Sequence, residues 1–214
     1  MRSRLTAIPL LFALAACGQA PTQAAVEYRP EEAGTVDHAM CLLGFAGVPL
    51  SEVSTGHLLA DATLNGRPAL FVVDTGANVS VLHAPYAGTF AITADPSARG
   101  GAVGIGGGGE ARLARIDSLR IGPVDIRQDR IVLADLSPIA SLLGPMSGGT
   151  IHGVIGQDVL GEHRAVIDVA RSILYLVEAD EDPAPVPGER CRAEVESADV
   201  DNASDGNRAA GSGR

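Results

Sequence analysis

Asn65-Gly66 stands between two runs of β-type character, residues 57–64 and 67–73. Both turn residues tolerate positive φ, and Asn-Gly between apolar runs is the strongest short-range signal for a hairpin. The second arm ends in Phe71-Val72-Val73, a continuous apolar run of the kind expected in a strand buried on both faces. Asp74-Thr75-Gly76-Ala77 follows directly. An acid at the end of a buried strand is costly unless it is hydrogen-bonded or paired. Gly76 lets the backbone turn sharply and come close to another chain, and Thr75 and Ala77 are small enough to leave room for that approach.

The pattern continues as short strands. Further β-type runs occupy residues 112–121, 122–126 and 131–136, and a short helix fits 138–143. Gly153-Val154-Ile155-Gly156 forms a second apolar segment closed by glycine, and residues 157–163 fit one or two helical turns. Residues 165–169 and 173–177 read as a closing hairpin around Ala170-Arg171. Residues 99–109 carry seven glycines, a stretch unsuited to a core and expected to be mobile. The lack of Trp and the abundance of Gly and small aliphatics suit strands and tight turns better than a helical bundle. The Asp-Thr-Gly segment has no second copy in the chain.

Phe71-Val72-Val73-Asp74-Thr75-Gly76-Ala77, with Ser80-Val81-Leu82 behind it, closely resembles the active-site motif of the retropepsin-like aspartic proteases. Val154-Ile155-Gly156 resembles their second conserved element, which underpins the active-site loop. The glycine-rich residues 104–109 stand where that family keeps its flap. The resemblance spans roughly residues 57–177 and is closer to the bacterial, often membrane-associated branch than to the two-lobed pepsins. It implies an all-β, single-lobed acid-protease domain over residues 55–178, a closed barrel with one or two short helices. It implies Asp74, Thr75 and Gly76 as the catalytic triplet, with Ala77, Ser80, Val154, Ile155 and Gly156 in support. Gly104, Ile105, Gly106, Gly107 and Gly108 would form the flap and line the substrate.

Aspartic proteases in general activate water between two carboxylates which, held about 3 Å apart, share one proton, so one serves as base and the other as acid. With a single Asp74 available, the resemblance implies a two-fold homodimer that brings Asp74 beside its symmetry mate. Thr75 would then hydrogen-bond across the axis, and the flap would close over a peptide substrate and exclude water. Such a reaction needs no metal, cofactor or covalent intermediate. Asp158 is the other acid to weigh, as a site residue or loop organiser on one reading, as a helix N-terminal charge or cap on the other.

The N-terminus reads as an address. Arg2 and Arg4 precede an apolar run, residues 5–16, that is too short for a bilayer span of about 20 residues. Leu14-Ala15-Ala16-Cys17 resembles the lipobox of bacterial lipoproteins. It implies a signal peptide over residues 1–16 and acylation of Cys17, hence a membrane-anchored protein on the periplasmic side. Gly18 in place of Asp favours the outer membrane over the inner. Residues 17–54 are then the lipidated cysteine, a tether and an N-terminal extension, and residues 37–56 could cap the cleft or act as a pro-region.

Other chemistries fit poorly. A formal net charge of −10 without a basic stripe argues against nucleic acid. Residues 104–109 match a dinucleotide fingerprint only formally, because no convincing strand precedes them. The surroundings of Ser147 lack the spacing of a hydrolase elbow. The five histidines show no metal-ligand spacing and read as surface or packing residues. Cys41 and Cys191 are a candidate disulfide if the compartment is oxidising, and residues 179–214 read as an acidic disordered tail. The rival to a protease is a non-catalytic lipoprotein that uses the same fold to bind peptides or a protein partner.

Overall fold

The computed structural model describes residues 27–104, 107–177 and 191. The lipobox with Cys17, the tether up to residue 26, Ile105, Gly106 and the tail apart from Cys191 lie outside the described residues. The chain runs through α1 (Val36–Leu42), β1 (Ala46–Pro49), β2 (Ser51–Glu52), β3 (Leu58–Leu64), β4 (Arg67–Val73) and β5 (Val81–His83). After a 3-10 helix (Ala84–Phe90) come β6 (Ala94–Gly104), β7 (Gly107–Arg115), β8 (Leu119–Ile121), β9 (Val124–Ile126) and β10 (Arg130–Ala134). Next are α2 (Ser137–Leu143) with a 3-10 turn (Gly144–Met146), β11 (Gly153–Ile155), α3 (Gln157–Glu162), β12 (Val166–Asp168) and β13 (Ile173–Leu176). The described domain is thus mostly β, with few and short helices.

The turn between β3 and β4 is as the sequence predicts: Asn65 and Gly66 adopt φ of 48° and 73°. Asn65 also works at a distance. Its Oδ1 accepts the N–H groups of Asp117 and Ser118, and its Nδ2 donates to the Phe90 carbonyl at 2.9 Å. One turn residue thereby ties the hairpin tip to two other loops.

Nine strands follow the order β6-β7-β10-β5-β11-β4-β3-β8-β9, and β2 attaches to β3. A separate three-stranded sheet has the order β1-β13-β12. The closed barrel expected from the sequence is therefore corrected to an open sheet. Closure would require each edge strand to find a second partner. Among the described residues β6 pairs only with β7 and β9 only with β8. The glycine-rich arm explains one edge: β10 reaches only Arg112–Arg115 of β7, so the rest of the β6–β7 hairpin extends beyond it.

Burial follows the strand period. Leu58, Ala60, Ala62 and Leu64 of β3 and Ala69 and Phe71 of β4 enter the main core, which Val48, Leu174 and Leu176 of the small sheet join. Leu59 and Val72 point the other way, into a second cluster with Val53, Leu143, Ile151 and Val154. The paired clusters are why Phe71-Val72-Val73 lacks the alternation of a half-exposed strand. Fully burying a side chain of this size contributes about 1.5–3 kcal/mol, so both faces hold the strand that carries Asp74.

Candidate active site

Strand β11 inserts between β4 and β5, parallel to the first and antiparallel to the second. Its register sets Ile155 beside Val73, so the next residues, Gly156 and Asp74, leave the sheet side by side. The Asp74 N–H donates to the Ile155 carbonyl at 3.0 Å, and the Ala77 N–H returns to the Asp74 carbonyl at 3.2 Å. The loop is a tight turn standing on the apolar-Gly element, with Val154 and Ile155 buried beneath it in the two core clusters.

Asp74 is half-buried, and Thr75 and Gly76 are exposed. The Gly76 N–H donates to Asp74 Oδ1 at 2.8 Å. Among the described residues Oδ2 accepts no hydrogen bond, so one carboxylate oxygen is fixed by its own loop and the other is left for an external group. This is what a carboxylate needs in order to meet a second carboxyl or a water.

Ser80 holds the loop from behind. Its hydroxyl donates to Asp158 Oδ1 at 2.7 Å and accepts the Gly156 N–H at 2.9 Å, and its own N–H donates to Asp158 Oδ2. Asp158 also accepts from Gln128 Nε2 and the Val159 N–H. The choice left open for Asp158 thus resolves toward both readings: it lies in the first turn of α3 and it organises the loop. Gly156 is dictated by space. A Cβ there would lie 2.6–2.8 Å from backbone atoms of Val79 and Ala77, so any larger residue would push the loop off its support.

Gln157 and Gln128 were not singled out from the sequence. The Gln157 backbone N–H donates to the Ala77 carbonyl at 2.8 Å, and its Nε2 donates to the Thr75 carbonyl at 2.9 Å. No local signal marks either glutamine, because each partner is far away along the chain. Of the flap residues, Gly104 pairs with Gly107 at the described end of the β6–β7 hairpin, and Gly108 pairs with Val103. That arm joins the sheet through β10, which pairs with β5.

The histidines do not gather at this loop. His83 and His163 are buried, and each of three rings accepts a backbone N–H: His83 from Leu136, His152 from Leu70, His163 from Arg127. Burial pushes the His152 pKa down. Among the described residues no three His, Cys, Asp or Glu side chains are grouped as metal ligands would be.

Among the described residues, then, a mostly β domain presents one Asp-Thr-Gly-Ala turn on a parallel β4–β11 pair, and one carboxylate oxygen of Asp74 accepts no hydrogen bond. Residues 60–159 match the family described as aspartyl protease. No curated protein matches the chain. Among solved structures, the chain is similar to a retropepsin-like aspartic protease from Rickettsia conorii, at 18% identity and a TM-score of 0.44, over 62% of this chain and 90% of that one. It is also similar to the EIAV protease in complex with the inhibitor HBY-793, at 21% identity and a TM-score of 0.37, over 49% of this chain and 85% of that one.

Proposed function

We propose that the protein is an aspartic endopeptidase in which water, activated between the Asp74 carboxylates of two copies, attacks a peptide carbonyl. The observation that carries this reading is the state of Asp74: Oδ1 is fixed by the Gly76 N–H, and Oδ2 is unbonded among the described residues on an exposed turn. The chain has one such turn, and the chemistry requires two acids, so the working unit is a homodimer. The substrate is a protein or peptide, and the glycine-rich hairpin closes over it.

The same reading places the domain outside the cytoplasm. The Leu14-Ala15-Ala16-Cys17 segment supports an acylated Cys17 and a periplasmic, lipid-anchored protein, at the outer membrane in preference to the inner. The disulfide between Cys41 and Cys191 supports an oxidising compartment.

The test is cleavage of a mixed peptide library by the chain from Gly18 onward, as wild type and as Asp74→Asn, across pH 4 to 8, with molecular mass measured in parallel. Cleavage by a wild-type dimer, absent in Asp74→Asn, is expected. Activity that survives the substitution would sink the mechanism. Stable dimers that bind peptides but cut none would favour the non-catalytic rival.

A further inference from the structure

We propose that Gln157 is a positioning residue for Asp74, acting through the peptide unit between Thr75 and Gly76. The inference rests on the aspartic-protease reading above. The Gln157 side chain donates from Nε2 to the Thr75 carbonyl at 2.9 Å. The N–H of the same peptide unit, on Gly76, donates to Asp74 Oδ1 at 2.8 Å. A peptide unit is planar and trans, so fixing its oxygen fixes the direction of its N–H. Gln157 therefore aims the N–H that anchors one oxygen of the carboxylate, which in turn sets where the free oxygen points.

The bond from Gln157 is the only hydrogen bond that Thr75 makes among the described residues, and Thr75 and Gly76 are both exposed in the single chain. The Ser80–Asp158 pair secures the back of the loop through Gly156 and the Ser80 N–H, and touches neither Thr75 nor Gly76. Gln157 grips twice, since its backbone N–H also holds the Ala77 carbonyl at 2.8 Å. That second bond survives any side-chain substitution, so a change at Gln157 frees one peptide unit and leaves the loop attached. Chained hydrogen bonds polarise one another, and the Gln157 donor thus strengthens the N–H that Asp74 accepts.

The experiment compares wild type with Gln157→Met, which keeps the length and loses the donor, Gln157→Glu, nearly isosteric with only acceptors when ionised, and Gln157→Arg, which restores a donor. Displacement of a reacting group by a fraction of an ångström to one ångström costs about 10- to 100-fold in rate. The Met and Glu variants should lose kcat in that range with KM and dimer dissociation unchanged, and Arg should recover most of it. Amide hydrogen exchange is read alongside: the Gly76 amide should exchange faster in Gln157→Met while core amides of β4 keep their protection. Wild-type kcat in Gln157→Met, or an unchanged Gly76 amide, overturns the proposal. If the wild type cleaves nothing, the protease reading fails by itself, and the Gly76 exchange rate still decides whether Gln157 holds that peptide.

Discussion

Ser80 is the residue on which the loop and its support meet. It is buried, and its hydroxyl is shared between the Gly156 N–H and Asp158 Oδ1. Ser80→Ala leaves a buried N–H without an acceptor and removes one of the donors that Asp158 accepts. Such an orphaned group costs about 1–3 kcal/mol, so urea unfolding should show a loss of that size, with peptide cleavage falling as the loop loosens. A Ser80→Ala protein as stable as wild type would mean that the Ser80–Asp158 contact is incidental. Ser80 was legible in the sequence because it lies six residues after Asp74 in a motif that could be matched as a string. Gln157 was not, since its role depends on one rotamer reaching a carbonyl 82 residues earlier. Gln128 is hidden for the same reason: it serves Asp158 across 30 residues.

Strands announced themselves where burial made their pattern continuous, as in β4 and β11, and even at the edges β9 and β12, whereas β1 went unread. Strand β1 contains Gly47 and ends at Pro49, residues depleted in strands, and its surroundings read as part of an extension. Proline is tolerated because β1 is an edge strand that, among the described residues, pairs only with β13. The clamp beside it was equally invisible. Asp37, in the first turn of α1, is buried and accepts both terminal nitrogens of Arg171 at 2.9 and 2.7 Å, the Tyr175 hydroxyl and the Arg29 N–H. From sequence Arg171 was a turn residue and nothing more. The Arg171 hydrogen bonds, with those from Arg29 and Tyr175, outweigh burial and hold the Asp37 carboxyl from its ordinary 3.8 down to about 2. A depressed acid stabilises the fold above its unfolded pKa and loses that contribution as pH falls through the folded value. The clamp therefore contributes on the order of 2 kcal/mol above about pH 4 and loses it between about pH 4 and 2. Asp37→Asn removes the nearer of two carboxylates beside Arg171, whose side chain is 32% exposed and keeps Asp168 Oδ2 at 3.9 Å, so the loss should be on the order of 2 kcal/mol rather than the larger cost of a stranded buried charge. Acid titration followed by circular dichroism should show that loss at neutral pH and a flatter limb below pH 4. A mutant limb as steep as wild type would remove Asp37 from the account of acid sensitivity.

The two ends of the described chain are brought together on one domain. Cys41 on α1 and Cys191 beyond β13 are joined across a sequence separation of 150, and both are buried. Three independent ties thus fix the N-terminal segment: the disulfide, the Asp37–Arg171 clamp, and the β1–β13 ladder, whose Val48 enters the main core together with neighbouring Leu50. Residues 36–52 thus supply an edge strand, a buried half-cystine and a buried acid to the described domain. The disulfide closes a loop around nearly all of the fold. On the chain-entropy view, a loop of this length removes about 4–5 kcal/mol of freedom from the unfolded state, more than most single contacts supply. Reduction should therefore lower the unfolding free energy of the wild type by that amount, read as a fall in the urea midpoint, and Cys41→Ser should reproduce the loss without a reductant. The β1 ladder and the Asp37 clamp should persist in the reduced protein, because neither depends on the sulfur bond, and native-state exchange of β13 amides would show them intact. If reduction instead released residues 36–52 and exposed β13, the disulfide would be the tie on which the other two depend, and the N-terminal segment would be a redox-held strap.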